Sequence, residues 1–117
     1  MALSEIERHQ MVKLADGACH SRNNNVCVDL GKAEFAELDN GIEFYQTRFK
    51  LDSSQADHRY LVAKVVLCEG LWTLLVAHRD HYEMFEGWHT HPEIKRLGNQ
   101  LHQLIEEVEH DSQGLIW

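Results

Sequence analysis

The chain has 117 residues, 44% hydrophobic and 26% charged, with a formal net charge of -8. That length suits one domain over residues 1–117 with a single core, and no apolar run reaches the roughly 18 residues of a membrane helix. Eleven basic residues against nineteen acidic ones leave too little positive charge to neutralise a phosphate backbone, which argues against nucleic acid as a ligand and favours a basic or neutral protein surface.

Ser4 opens a capping box with Glu7, in which the Ser hydroxyl takes the N–H three residues on and the Glu reaches back. Leu3, Ile6, Gln10, Leu14 and Ala18 follow at helical spacing with Met11 beside them, which predicts a helix over about residues 4–20. Asn23, Asn24 and Asn25 are expected to end it, since Asn favours turns. Val26, Val28 and Leu30 then alternate up to Gly31, and Lys32 to Leu38 alternates weakly. Asp39-Asn40-Gly41 signals a hairpin, with Ile42 to Leu51 as the returning strand. Neither face of that strand is cleanly polar, so both are expected to be partly covered. After the polar loop 52–58, Tyr60–Cys68 and Leu71–Ala77 are nearly continuous in apolar residues, the mark of central strands. Glu69-Gly70 is the turn between them, and His81 to Phe85 adds a short edge strand.

Beyond Pro92, the three-four spacing of Ile94, Leu97, Leu101, Leu104 and Val108 predicts an amphipathic helix near 94–109. Thr90-His91-Pro92-Glu93 reads as its capping box, while Gly98 allows a later start near Leu97. The expected fold is α+β: an N-terminal helix, a four- or five-stranded antiparallel meander, and a C-terminal helix packed on the sheet. The three cysteines, Cys19, Cys27 and Cys68, are an odd number without a Cys-x-x-Cys pair, which fits a reducing compartment. The N-terminal residues lack the basic start and apolar stretch of a secretory signal, so the expected location is the cytoplasm.

Several stretches carry a family likeness. They are Leu3-Ser4-Glu5-Ile6-Glu7-Arg8, Val28-Asp29-Leu30-Gly31, Ile42-Glu43-Phe44-Tyr45 with Arg48, and Val62-Ala63-Lys64-Val65. Trp72, Arg79-Asp80 and Pro92-Glu93-Ile94-Lys95 with Leu97 and Leu101 continue it, and Asp111 to Trp117 closes it. In these the chain resembles a family of short bacterial proteins catalogued as domain of unknown function 3024. His20-Ser21-Arg22-Asn23 departs from the two Arg and the Pro of that family, and Phe85-Glu86 stands where it has Trp-His. The resemblance supports the fold and the compartment and brings no activity.

Few groupings carry chemistry. His89-x-His91 is the only pattern with metal-ligand spacing, since residues two apart face the same way on an extended backbone and His91 precedes Pro92. Zn or Ni would suit these imidazoles, with His81, His78 or Glu86 as a third ligand; the alternative is a surface link rich in His. Cys19-His20 with Cys27 lacks the spacing and the fourth ligand of a zinc knuckle, and Cys68 is expected in the core. Ser53, Ser54 and Ser112 lie in polar stretches without a nucleophile motif, so no catalytic residue is assigned and no cofactor is implied. Glu106, Glu107 and Glu109 form an acidic helix end, read as a solvated face that would otherwise dock a basic partner. Trp72 is expected in the core, whereas Trp88 and Trp117 are candidate interaction anchors. The leading expectation is a non-catalytic binding or protein-interaction module, compatible with a homodimer. The alternative is a metal-binding protein using His89, His91 and His81.

Overall fold

A computed structural model describes residues 3–25, 31–49, 56–80, 82, 84–112 and 114–117. The elements in chain order are α1 (Glu5–Asn25), β1 (Lys32–Leu38), β2 (Gly41–Phe49), β3 (Ala56–Cys68), β4 (Leu71–Arg79), β5 (Phe85–Thr90), α2 (Ile94–Leu97) and α3 (Leu101–His110). The strands form one antiparallel sheet in the order β1-β2-β3-β4-β5. The fold is the expected α+β arrangement, with five strands.

The Ser4 capping box forms as read. The Glu7 N–H donates to Ser4 Oγ at 3.1 Å, and the Ser4 N–H donates to Glu7 Oε1 at 3.3 Å. The helix runs five residues past the expected end, because the asparagine side chains find partners in the helix and in β1. Asn25 Nδ2 donates to the Ser21 carbonyl. Asn23 pairs with the backbone of Ala33, accepting its N–H at 2.8 Å and donating to its carbonyl at 3.0 Å. The buried face is also rotated from the expected one: Met11, Ala15, Ala18 and Cys19 are buried, while Ile6 is 73% exposed. Small side chains at 15, 18 and 19 let the helix sit close to its neighbours. Val26, Cys27, Val28 and Leu30 lie outside the described residues.

The first hairpin closes through Asp39 and Asn40, with Leu38 opposite Gly41. Gly41 is needed for space and not for a positive φ. A Cβ there would collide with the Val65 carbonyl oxygen and come within 2.7 Å of the Val66 Cα. β3 starts at Ala56, ahead of the expected Tyr60, and its register against β2 shifts between Phe44–Ala63 and Tyr45–Leu61. Val62 is thus an extra residue, a β-bulge. Beyond it β3 has no partner in β4, and Arg79 Nη2 donates to the Leu61 carbonyl at 2.9 Å instead. The edge strand is Phe85–Thr90, later than expected, so His89 belongs to a strand and not to a link.

The register divides the sheet into two unlike faces. Ala33, Ile42, Phe44, Ala63, Val65, Leu74 and Val76 are buried with Met11, Ala15, Ala18, Leu104, Ile105 and Val108 in one core cluster. Strand alternation sends Tyr45, Lys64, Leu75, Ala77 and Trp88 to the other side. These are half-buried and stand outside that cluster. Among the described residues, α1 and α3 pack on the first face and no helix packs on the second. Among the described residues, the apolar run in β3 therefore lines a central strand with helices on one side only.

The C-terminal helix is divided at Gly98, which adopts φ 80° and ends α2. In α3 the buried apolar positions are Leu104, Ile105 and Val108, with Leu101 half-buried. Leu104→Ala should destabilise the protein by roughly 2–5 kcal/mol, whereas Ile6→Ala should cost less than about 0.5 kcal/mol. Urea denaturation of the two variants checks this.

Candidate functional site

The sequence singled out the segment around β5, and the structure distributes its histidines. His91 follows the strand, its N–H donating to the Leu74 carbonyl, and its ring is fully buried under α3. Nδ1 accepts the Glu93 N–H at 3.0 Å, so His91 and not Thr90 satisfies the start of α2. That bond leaves the neutral ring's proton on Nε2, which faces Glu107 Oε2 at 3.6 Å. The gap exceeds hydrogen-bond length, and the buried Nε2 has no hydrogen-bond partner among the described residues. An ion could take the Nε2 lone pair only if the ring gave up the Glu93 N–H.

Glu107 is buried, 6% exposed, contrary to the reading of a solvated acidic face. Its carboxylate accepts the Ser112 hydroxyl at 2.8 and 2.9 Å and the Ser112 N–H at 3.1 Å. Serine, carboxylate and imidazole thus stand in a row, but in an order that cannot activate the serine. The hydroxyl donates to the carboxylate and not to the imidazole, so the imidazole-to-hydroxyl order of a catalytic triad is missing. The row is a brace between the end of β5 and the end of α3.

His89 is exposed. Its ring lies 6.0 Å from that of His78 across the β4–β5 pair, and His78 Nε2 lies 3.2 Å from Glu86 Oε2. The extra residue of a bulge, Glu86 between Phe85 and Gly87, accounts for this contact, because a bulge turns two successive side chains to one face. His81 lies outside the described residues. Among the described residues no three His, Cys, Asp or Glu side chains form a group able to hold a metal ion.

A pocket of about 320 Å³ between α1 and β1 is lined by Asp16, Cys19, His20, Asn23, Glu34 and Tyr45, among others. It combines a thiol with an imidazole and a carboxylate. Burial pushes the Cys19 thiol up to about 12, with Asp16 and Glu34 adding to the shift, so the thiolate needed for attack is absent at neutral pH. Cys68, expected in the core, is exposed at the end of β3.

Trp88 and Trp117 are both half-buried, in different roles. Trp117 is tied down: its Nε1–H donates to the Val108 carbonyl at 2.7 Å, and the Arg22 guanidinium stacks 4.6 Å from its ring. Burial holds Arg22 below its ordinary value, opposed by Asp111. The Asp111 carboxylate also accepts the backbone N–H groups of Leu115, Ile116 and Trp117. Trp88 stands on the open face, with Phe85 edge-on at 5.2 Å and the Lys64 ammonium 4.7 Å above its ring.

Across the same face the Arg59 guanidinium lies 5.2 Å from the Tyr45 ring. The Val62 bulge sets this up, since it brings Leu61 opposite Tyr45 and Arg59 opposite Thr47. Lys64, Arg59 and Tyr45 were not picked out from sequence. One sign was present: Lys64 interrupts the apolar run Leu61–Leu67, which a strand buried on both faces would not tolerate.

The sequence profile of a family described as Domain of unknown function (DUF3024) matches residues 3–117. No curated protein matches the chain, and no solved structure does.

Alkylation at pH 8 followed by mass spectrometry should modify Cys68 in the folded protein and leave Cys19 unmodified. Both should react in urea.

Proposed function

Since the chain belongs to the DUF3024 family, whose description carries no activity, we propose that it is a non-catalytic protein-interaction module acting through the open face of its sheet. One observation carries the reading: a continuous half-buried surface around Trp88, Lys64, Leu75, Leu61 and Tyr45 that no helix among the described residues covers. Large aromatic anchors with a polar surround are what concentrate binding energy at interfaces. Three observations above point the same way, since the serine does not meet the imidazole, the buried thiol stays protonated, and the helix-end acid is internally bonded. The free thiols and the lack of any helix long and apolar enough to cross a membrane, among the described residues, fit the proposed cytoplasmic setting.

The partner segment should carry carboxylates. Lys64 and Arg59 both lie over rings, and among the described residues neither has a carboxylate partner. An arriving carboxylate can draw each cation aside and expose Trp88 and Tyr45 for contact. The net charge of -8 favours a basic or neutral partner at long range. Screening within about 8 Å at physiological salt leaves the choice to the face itself. Peptides displayed on phage and selected on the wild-type protein should be acidic. Their binding should fall at least about tenfold, or 1.4 kcal/mol, in the double variant Trp88→Ala/Lys64→Glu. Recovery of no peptide that depends on these two residues would remove the proposal. So would salt-sensitive binding of single-stranded oligonucleotides at this face.

A metal-binding role is the second reading, favoured by the contacts of His78 with His89 and Glu86. With His81 as a further ligand, the site would lie on the exposed β4–β5 pair and leave His91 as the buried brace. Zn²⁺ should then raise the melting temperature of the wild type and not of His78→Ala/His89→Ala, because an ion bound only to the native state stabilises it. An equal response in the two proteins ends this reading.

A further inference from the structure

The two edges of the sheet are treated differently. On β1 the Asn23 amide occupies the outward N–H and C=O of Ala33 at 2.8 and 3.0 Å, standing in for the peptide group of a sixth strand. At the other end of β1, Arg8 holds the carbonyls of Leu38 and Asp39, each at 3.1 Å. An edge occupied at these positions is a poorer acceptor for another chain than a bare one. On β5 no side chain is bonded to the outward peptide groups among the described residues.

Which groups of β5 face outward follows from the ladder. The His91 N–H donates to the Leu74 carbonyl, and Leu75 stands opposite Thr90 and Val76 opposite His89. Hydrogen-bonded and non-hydrogen-bonded pairs alternate in an antiparallel ladder, so His89 and His91 turn their peptide groups to β4. Trp88 and Thr90 turn theirs to the free edge.

We infer that this edge pairs with β5 of a second copy of the chain, antiparallel about a twofold axis at His89, joining two sheets into one of ten strands. In that register Trp88 of each copy faces Thr90 of the other. Each pair exchanges both N–H···O bonds, so every outward group of the straight part of the strand is satisfied by its own symmetry mate. Pairing centred on Trp88 would instead run into the bulge at Glu86. Pro92, without an N–H, ends the ladder on the other side.

Charge permits the meeting despite the net -8. Between Met84 and Thr90 the only carboxylate is Glu86, which lies 3.2 Å from His78 of its own chain. Met84 and Phe85 are 64% and 48% exposed beside this edge and would be partly covered. The inference does not rest on the function proposed for the open face, because the edge uses peptide groups and the face uses side chains. Joining the sheets leaves that face open on both copies.

Sedimentation equilibrium from roughly 10 to 500 μM should show a monomer–dimer equilibrium in the wild type, in keeping with a small interface. Thr90→Pro removes an outward N–H that β4 does not use. It should weaken the dimer at least tenfold while leaving the circular dichroism spectrum unchanged. Register is read independently of that variant in a chain carrying Cys27→Ser and Cys68→Ser. His89→Cys in this background should form an oxidative cross-link between copies, because the facing Cα atoms of a non-hydrogen-bonded pair lie about 4.5 Å apart, within disulfide reach. His78→Cys should not. A wild type that stays monomeric over this range would overturn the inference. Dimerisation of Thr90→Pro equal to wild type, or equal cross-linking at positions 78 and 89, would overturn it as well.

Discussion

The five strands follow one another as neighbours in the sheet, and among the described residues none of the connections between them contains a helix. Among the described residues, only the segments before β1 and after β5 supply helices to cover the sheet. Both come from the ends of the meander, and both pack on the same face, α1 over β1 and β2 and α3 over β3 and β4. The contact between α1 and α3 is what lets two helices form one layer. Everything else depends on this: a core on one side, a half-buried surface on the other, and two free edges that the chain has to manage.

The management is local. α1 is tied to β1 near both of its own ends, by Arg8 and by Asn23, and its course along the edge follows from those two residues. α3 is tied at its far end, where Asp111 in the left-handed region gathers three backbone N–H groups of the tail. The buried Glu107 holds Ser112 there and faces His91 at the end of β5. Removing one partner of such a buried polar group costs more than the bond itself is worth, because the remaining group stays desolvated. These polar contacts therefore fix where the helices lie, while Leu104, Ile105, Val108, Met11 and Ala15 supply the burial.

Much of this was legible in the sequence, because it was written in local signals. The Ser4–Glu7 capping box, the hairpin at Asp39-Asn40, the strands read at Tyr60–Cys68 and Leu71–Ala77 and the stripe of α3 all follow from spacing and turn chemistry, while the first residues of β3, Ala56 to His58, read as loop. What was not legible depends on distant partners. Asn23 reads as a helix breaker until Ala33 is placed beside it. Glu107 reads as a solvent residue until Ser112 folds back, and Ile6 reads as core although it is exposed. The candidate site divides along the same line. Trp88 was visible as a large aromatic near a strand. The two cations that share its face were not, because a bulge at Val62 decides on which side Arg59 emerges, and a single sequence does not announce a bulge.

The packing of α1 against α3 has a consequence for how the protein is made. α1 leaves the ribosome before the sheet does, yet its full partner is complete only when residues 101–110 have been synthesised. During that interval the helix must tolerate water on the stripe it later buries. Met11, Ala15, Ala18 and Cys19 present little apolar area for a chaperone to seize, which suits a segment that waits. The meander can close meanwhile, hairpin by hairpin, as each strand follows the last, since its pairings are all between neighbours.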